Sequence, residues 1–402
     1  MKIGLVCPYS MARGGAVQEI VIAMRQELMK RGHEVFIITP RPKEAVTVDT
    51  EGMIFVGAST NFRSPMGTTT DLSSSTDNEE IKEVLEREQF DILHFHEPYQ
   101  PFLSRQLLTY SKSVNIATFH AKLPDSTVSR TFIKAVTPYT KPLLKYLHEL
   151  VAVSDAASEY VGGMTSRHIT IIPNAIHVAD FPPAPARYEL DGKKKKILFI
   201  GRLERRKGVK YLIEAFGLLA QQREDVELII AGKGPYREKL EQVVFEEGIP
   251  NVQFLGYVDD ATKKQLFAEA DLFCAPAVFG ESFGIVLLEA MSTGLITIAG
   301  NNPGYAGVMQ GVGSMSLVNP KDAVEFARRM EMFLDEPDLR KLWREWALEY
   351  VKQFDYPIIA DQYEKLYQEA LVEHEGDFRN ILKKAKKPKK EKKPKTKRTR
   401  VA

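Results

Sequence analysis

Glu281 and Glu289 stand eight residues apart in Gly280–Gly294, which reads GESFGIVLLEAMSTG. The apolar run Phe283, Ile285, Val286, Leu287, Leu288, Ala290, Met291 reads as a buried helix entered from Cys274-Ala275-Pro276 and closed by Gly294. Along a helix the two carboxylates are roughly 12 Å apart at 1.5 Å per residue. Ionised carboxylates accept hydrogen bonds from paired hydroxyls, so Glu281 in the loop suits a hexose and Glu289 a ribose 2′,3′-diol. The amides of Ser282, Phe283, Gly284 and Ile285 at the helix start favour phosphate. Two exposed helix carboxylates would show the same spacing. What separates the readings is whether phosphate ligands occur elsewhere.

They occur in Phe199–Gly208, FIGRLERRKG, directly after the strand-like run Lys196–Ile200. Arg202 and Lys207 flank a strand-to-helix turn, the place where a parallel sheet holds a diphosphate. A planar guanidinium grips two phosphate oxygens and an ammonium neutralises a departing one. A solvated basic loop is the competing reading. Cations and paired carboxylates on one sheet edge together suit a sugar nucleotide.

The Arg-x4-Lys and Glu-x7-Glu patterns resemble the family 4 retaining glycosyltransferases. The resemblance implies that Arg202 and Lys207 bind the donor diphosphate, Glu281 the transferred sugar and Glu289 the ribose. It also implies the GT-B architecture, an α/β fold of two Rossmann-like domains with an interdomain cleft and a C-terminal helix crossing back to the N-terminal domain.

The elements that must position these residues are legible in the pattern of the chain. Its 402 residues, 44% hydrophobic, can bury two cores. Strand-like runs at Lys2–Cys7, Glu34–Thr39, Met53–Val56, Ile92–His94, Asn115–Phe119, Leu150–Val153 and Ile169–Ile172 alternate with helical stretches, an α/β signature. Prolines 173, 182, 183 and 185 and the lysine run 193–196 mark a break, after which the alternation repeats to Ile296–Ala299. The expected division is an acceptor domain at 1–173, a linker at 174–195, a donor domain at 196–356, a crossover helix at 357–375 and a disordered polybasic tail at 376–402. Cys7 and Cys274, far apart in apolar strands, read as reduced core residues of a cytosolic protein. No apolar run approaches the ~18 residues of a spanning helix.

The net charge of +2 hides an asymmetry. From Arg379 onward there are 13 Lys/Arg against Glu391 alone, so the preceding body carries a net −10. The tail lacks aromatics and apolar periodicity. It reads as a solubilising segment, as a lure for anionic lipid, or as a loose nucleic-acid binder; no specific nucleic acid is implied.

Further segments bring the resemblance closer to the bacterial phosphatidylinositol mannosyltransferases: VCPYS at Val6–Ser10, Gly15 with Val17-Gln18, HFHEP at His94–Pro98, ATFH at Ala117–His120, AVSD at Ala152–Asp155 and LGYVDDATK at Leu255–Lys263. By that match His120, ending a strand, faces the cleft and hydrogen-bonds the hexose or the incoming hydroxyl; with Arg202, Lys207 and Glu281 it makes the catalytic set. Tyr9 and Gln18 with His120 meet the acceptor, Val258, Asp260 and Lys263 the nucleobase, Gly15 and Ala16 the phosphates, and His96 and Glu97 brace the cleft. The match implies GDP-mannose as donor, an acceptor hydroxyl of phosphatidylinositol or another lipid-linked or polyol compound, no cofactor or metal, and a cytoplasmic site, with the inner face of the plasma membrane as a peripheral location.

Three departures stand out. Gly15-Ala16 replaces the family's Gly-Gly, and Pro173-Asn174-Ala175 its Pro-Asn-Gly. The helix that is polybasic in the mannosyltransferases reads Asp77-Asn78-Glu79-Glu80-Ile81-Lys82-Glu83. An acidic face is repelled by anionic lipid. A UDP- or ADP-sugar used on a soluble glycan, a UDP-sugar 2-epimerase, and a non-catalytic sugar-nucleotide binder are the alternatives.

Overall fold

The computed structural model describes residues 1–12, 14–43, 49–63, 69–75, 77–100, 102–122, 127–186, 188 and 194–385. Arg13 of the glycine turn, Lys193 of the lysine run and the tail from 386 onward lie outside them.

The first unit contains β1 (Lys2–Val6), α1 (Ala16–Lys30), β2 (Glu34–Arg41), β3 (Met53–Arg63), β4 (Thr69–Ser75), α2 (Asn78–Glu88), β5 (Ile92–His96), α3 (Leu103–Tyr110), β6 (Val114–Phe119), α4 (Thr127–Thr140), β7 (Glu149–Ala152), α5 (Asp155–Gly162) and β8 (Thr170–Ile171). Its sheet runs β4-β3-β2-β1-β5-β6-β7-β8, parallel except for the β3/β4 hairpin. The central strands are buried almost throughout, as in a sheet covered on both faces, and carry His94, His96, Asn115 and Thr118 among their apolar residues. Chain order reverses between β1 and β5, which opens a crevice at their C-terminal ends.

The second unit contains β9 (Lys195–Ile200), α6 (Val209–Ala220), β10 (Val226–Ala231), α7 (Arg237–Glu246), β11 (Val252–Gly256), α8 (Asp260–Glu269), β12 (Leu272–Ala275), α9 (Ile285–Ser292), β13 (Thr297–Gly300), α10 (Pro303–Val308), β14 (Leu317–Val318), α11 (Ala323–Asp335) and α12 (Pro337–Tyr350). Its sheet, β11-β10-β9-β12-β13-β14, reverses between β9 and β12. The helix expected around Glu289 begins at Ile285, so Phe283 belongs to the loop before it.

The last helix, α13 (Tyr356–Ala385), returns to the first unit and is described to ten residues beyond position 375. Tyr356, Ile359, Ala360, Tyr363, Tyr367 and Ala370 recur at helical spacing and are buried with Ile3, Leu5, Val21 and Met24 from β1 and α1. Full burial of one such large side chain contributes about 1.5–3 kcal/mol. This stripe is why the helix crosses back. The units also meet through Ser154 Oγ, which donates to the Ser282 carbonyl, and Ser292 Oγ holds the linker by donating to the Phe181 carbonyl at 2.9 Å.

Candidate active site

After β9 the chain turns through Gly201 into a short 3-10 turn, Arg205–Lys207, and Gly208 starts α6 in the left-handed region with φ 71°. A Cβ on Gly208 would lie 2.0 Å from the Pro276 carbonyl oxygen. We expect Gly208→Ala to cost about 3 kcal/mol or more, read as a lowered urea midpoint. That close approach sets the turn against the loop after β12. Arg206 Nη1 consequently lies 2.5 Å and Lys207 Nζ 2.9 Å from Glu281 Oε1. Glu204 takes Arg206 at 2.9 Å on one oxygen and Arg202 at 3.1 Å on the other. Burial opposes the charge on Arg206, and Glu281 with Glu204 override it, so its pKa is raised. The Arg202 side chain is 49% exposed, whereas those of Arg206 and Lys207 are 16% exposed.

Ahead of α9, Gly284 has φ 118° and the buried Tyr305 ring of α10 fills the place of a Cβ, 2.7 Å away. Ser282, Phe283, Gly284 and Ile285 thus present backbone beside Glu281. One face along, Lys263 Nζ bridges Glu289 and Asp260, 2.9 Å from each. Burial pushes the Glu289 carboxyl up, Lys263 partly offsets this, and Glu19 of α1 adds to the rise. Asp260 adds to the rise as well, and Glu19 is exposed on α1. Val258 is half-buried in the loop before α8.

In the first unit His120 follows β6. Its backbone N–H donates to Glu97 Oε1 at 2.7 Å, and its Nε2 pairs with His96 Nδ1 at 2.8 Å. Burial lowers the His120 pKa to about 4 with Asn174 opposing, lowers His94 to about 3, and holds His96 well below its ordinary value. Burial also pushes the Glu97 carboxyl up to about 7.

These shifts predict a pH dependence of stability. The imidazole pKa values are lower in the fold than in the unfolded chain, so what the imidazoles contribute is fully present above ~6.5 and is lost as pH falls toward 4. Glu97 has the opposite sign: its contribution is complete below ~4.5 and is lost as pH rises through 7. At pH 5 His94 and His120 each cost about 2 kcal/mol and Glu97 returns about 2, so with His96 acting in the same direction as the other imidazoles the net loss is about 2 kcal/mol or more relative to pH 7. Thermal unfolding at the two pH values checks this, and Glu97→Gln should widen the difference.

The structure gathers Arg202, Lys207 and Glu281 into one network, and Glu289, Lys263 and Asp260 into another. Gln18, expected to meet the acceptor, is buried and its Nε2 donates to the Ser10 carbonyl at 3.3 Å. Its folded side chain also occupies the space a Cβ on Gly15 would need, 2.7 Å away. Ala16 is exposed as the first residue of α1, and Tyr9 is half-buried with its hydroxyl 3.5 Å from Gln100 Nε2. Arg206, Glu204, Glu19 and Tyr305 carry no distinguishing spacing and were not anticipated as site residues. One three-residue set with metal-ligand geometry occurs among the described residues, Glu149, Glu373 and His374, and it lies between the start of β7 and α13. No helix among them is long and apolar enough to cross a membrane.

The Glycosyltransferase Family 4 model matches residues 14–180 and the Glycosyl transferases group 1 model residues 180–349. The chain is 32% identical over 370 residues to a phosphatidyl-myo-inositol mannosyltransferase of Mycolicibacterium smegmatis, covering 92% of this chain and 94% of the relative. It is 26% identical to the phosphatidylinositol N-acetylglucosaminyltransferase gpi3 subunit of Schizosaccharomyces pombe, covering 90% and 79%. Among solved structures it superposes on a sucrose-phosphate synthase from Thermosynechococcus elongatus with a TM-score of 0.74 at 20% identity, covering 92% of this chain and 99% of that one. The two sheets thus have the GT-B arrangement, and the chain belongs to the family 4 glycosyltransferases, enzymes that transfer hexoses.

Proposed function

We propose that the protein transfers mannose from GDP-mannose, with retention of the α configuration, to a hydroxyl of phosphatidylinositol or a related lipid-linked polyol. The observation that carries the donor half is the network of Arg206 and Lys207 on Glu281, with Arg202 beside it, at the C-terminal edge of β9 and β12. It can stabilise a departing diphosphate without a metal, while Glu281 takes hexose hydroxyls. Glu289 takes the ribose, and Val258, Asp260 and Lys263 border the base. The donor diphosphate approaches Gly15 and Ala16. His120 meets the hexose, and Tyr9 borders the acceptor. The family resemblance implies front-face substitution: the acceptor oxygen forms the new glycosidic bond as the bond from the anomeric carbon to the phosphate oxygen breaks, and the leaving phosphate takes the acceptor proton.

The acceptor assignment rests on two relatives whose names share phosphatidylinositol while differing in the sugar. Incubation with GDP-mannose, UDP-glucose, UDP-N-acetylglucosamine and ADP-glucose, each with phosphatidylinositol vesicles, tests it. The expected result is GDP release together with an α-mannosylated lipid. UDP release onto a soluble glycan, or an epimerised sugar with no glycoside, overturns it. The soluble-acceptor reading is favoured by one feature: α2 turns Glu79, Glu83 and Glu86 outward where a membrane-binding helix would be basic.

The tail supplies the alternative membrane contact. Residues 386–402 hold ten Lys/Arg and one Glu, each cation contributing roughly 1 kcal/mol near an anionic surface. Removing them should abolish salt-sensitive binding to anionic vesicles and leave transfer to a soluble acceptor intact; unchanged vesicle binding defeats the tether.

A further inference from the structure

His96 and His120 share one hydrogen bond between stacked rings whose centroids are 5.1 Å apart. Both are buried and neutral. A neutral imidazole carries a single N–H. One ring therefore donates in the shared bond, and the two outer nitrogens, His96 Nε2 and His120 Nδ1, hold one proton between them. Among the described residues neither outer nitrogen has a hydrogen bond of normal geometry. A buried N–H without an acceptor is costly, about 1–3 kcal/mol, so the question is which end can best relieve it. His96 is 1% exposed and no described residue hydrogen-bonds its Nε2. His120 ends its strand at the cleft beside Asn174, which raises the affinity of the ring for a proton.

We infer that His96 is a positioning residue: it donates from Nδ1 to His120 Nε2 and fixes His120 as the Nδ1–H tautomer, so that His120 meets a bound ligand oxygen as a hydrogen-bond donor and not as a base. The role toward the sugar rests on the transfer reaction proposed above; the tautomer does not.

The donor ring is itself held in place. His94 lies 4.4 Å from His96, centroid to centroid, and both of its nitrogens are engaged, Nδ1 with Tyr367 Oη and Nε2 with Thr118 Oγ1, each at 2.7 Å. Tyr363 Oη lies 3.1 Å from the same Thr118 hydroxyl. Rotating His94 would break two buried bonds, so the ring against which His96 stacks is locked. Both tyrosines belong to α13, so the crossover helix clamps the stack that ends at His120. The arrangement leaves the acceptor proton to the departing phosphate, since a His120 nitrogen that already carries hydrogen cannot accept one.

Long-range proton–nitrogen correlation spectra of protein labelled with 15N-histidine test the tautomer directly, with no donor or acceptor added, so the result is independent of the transfer reaction. Signals are assigned from the loss seen in His96→Asn and His120→Asn. The expected spectrum shows protonated Nδ1 and bare Nε2 for both residues; a protonated Nε2 on His120 overturns the inference. In steady-state assays of the full chain, His96→Leu should lower kcat about 10²-fold with donor KM little changed. His96→Asn, whose carboxamide N–H can stand where Nδ1–H stood, should restore most of that loss. Unchanged kcat in His96→Leu, or a folded His96→Asn no better than His96→Leu, refutes the positioning role.

Discussion

Lys207→Met lowers kcat/KM about 10³-fold, with the loss falling chiefly on kcat. Methionine keeps the length and apolar stem of lysine and removes only the charge. The ammonium is held by the 3-10 turn, by Gly208 against Pro276 and by Glu281 at 2.9 Å, so little reorganisation precedes the moment when negative charge builds on the leaving phosphate. A fixed cation at that point acts on the transition state more than on the bound donor, which is why kcat carries the effect. Arg202→Ala should cost less, about 10²-fold, because its guanidinium is half exposed and must swing onto the phosphate from Glu204. Initial rates at saturating acceptor over a range of donor concentrations separate the two constants. A Lys207→Met enzyme with the wild-type kcat would remove the diphosphate from this loop.

The second large effect is expected at Glu281. Glu281→Ala removes the hexose contact and also the carboxylate shared by Arg206 and Lys207, and kcat/KM should fall by about 10²-fold or more. Glu204 still holds Arg206, so the loss of stability should be about 2 kcal/mol, below the 3–5 kcal/mol of a buried ion left alone. Glu281→Gln keeps hydrogen bonds to hydroxyls but not the charge; its activity should fall between alanine and wild type. Donor turnover and thermal midpoints measured on the same preparations check both parts. Undiminished turnover by Glu281→Ala would sink the assignment.

Much of this site was legible because its parts sit at sharp local signals. A strand running into Gly-Arg, a glycine before an apolar helix and a strand ending in histidine each fix a position without knowledge of the rest. What was hidden depends on orientation. Arg205, Arg206 and Lys207 are consecutive cations, and only the 3-10 turn and the approach of Gly208 to Pro276 decide that Arg206 and Lys207 face Glu281. At α1 the helix phase decides: Gln18 folds inward onto the Ser10 carbonyl while Glu19, one residue on, is exposed. Tyr305 comes from α10, a helix of six residues too short to show periodicity. The hairpin strand β4, TTDLSSS, has little apolar alternation and is held by its antiparallel partner β3. The long helix α13 was legible through Tyr356, Ile359, Tyr363 and Tyr367, but that the Tyr367 phenol hydrogen-bonds His94 and the Tyr363 phenol the Thr118 hydroxyl beside it is invisible in hydropathy alone.

The chain passes between its two units twice, near Ile176 and near Asp355, and the passages are laced together. The Ile176 amide donates to the Phe354 carbonyl and the Tyr356 amide to that of Ile176, each at 3.0 Å. Two covalent crossings tied side by side resist sliding and twisting, so swinging about that short ladder is the low-cost motion. The ladder is then a pivot, and a swing about it breaks the Ser154–Ser282 contact while leaving the networks around Glu281 and His120 each with its own neighbours. A nick in either passage would leave the units joined through the other, yet free the pivot and let the walls of the cleft lose their alignment.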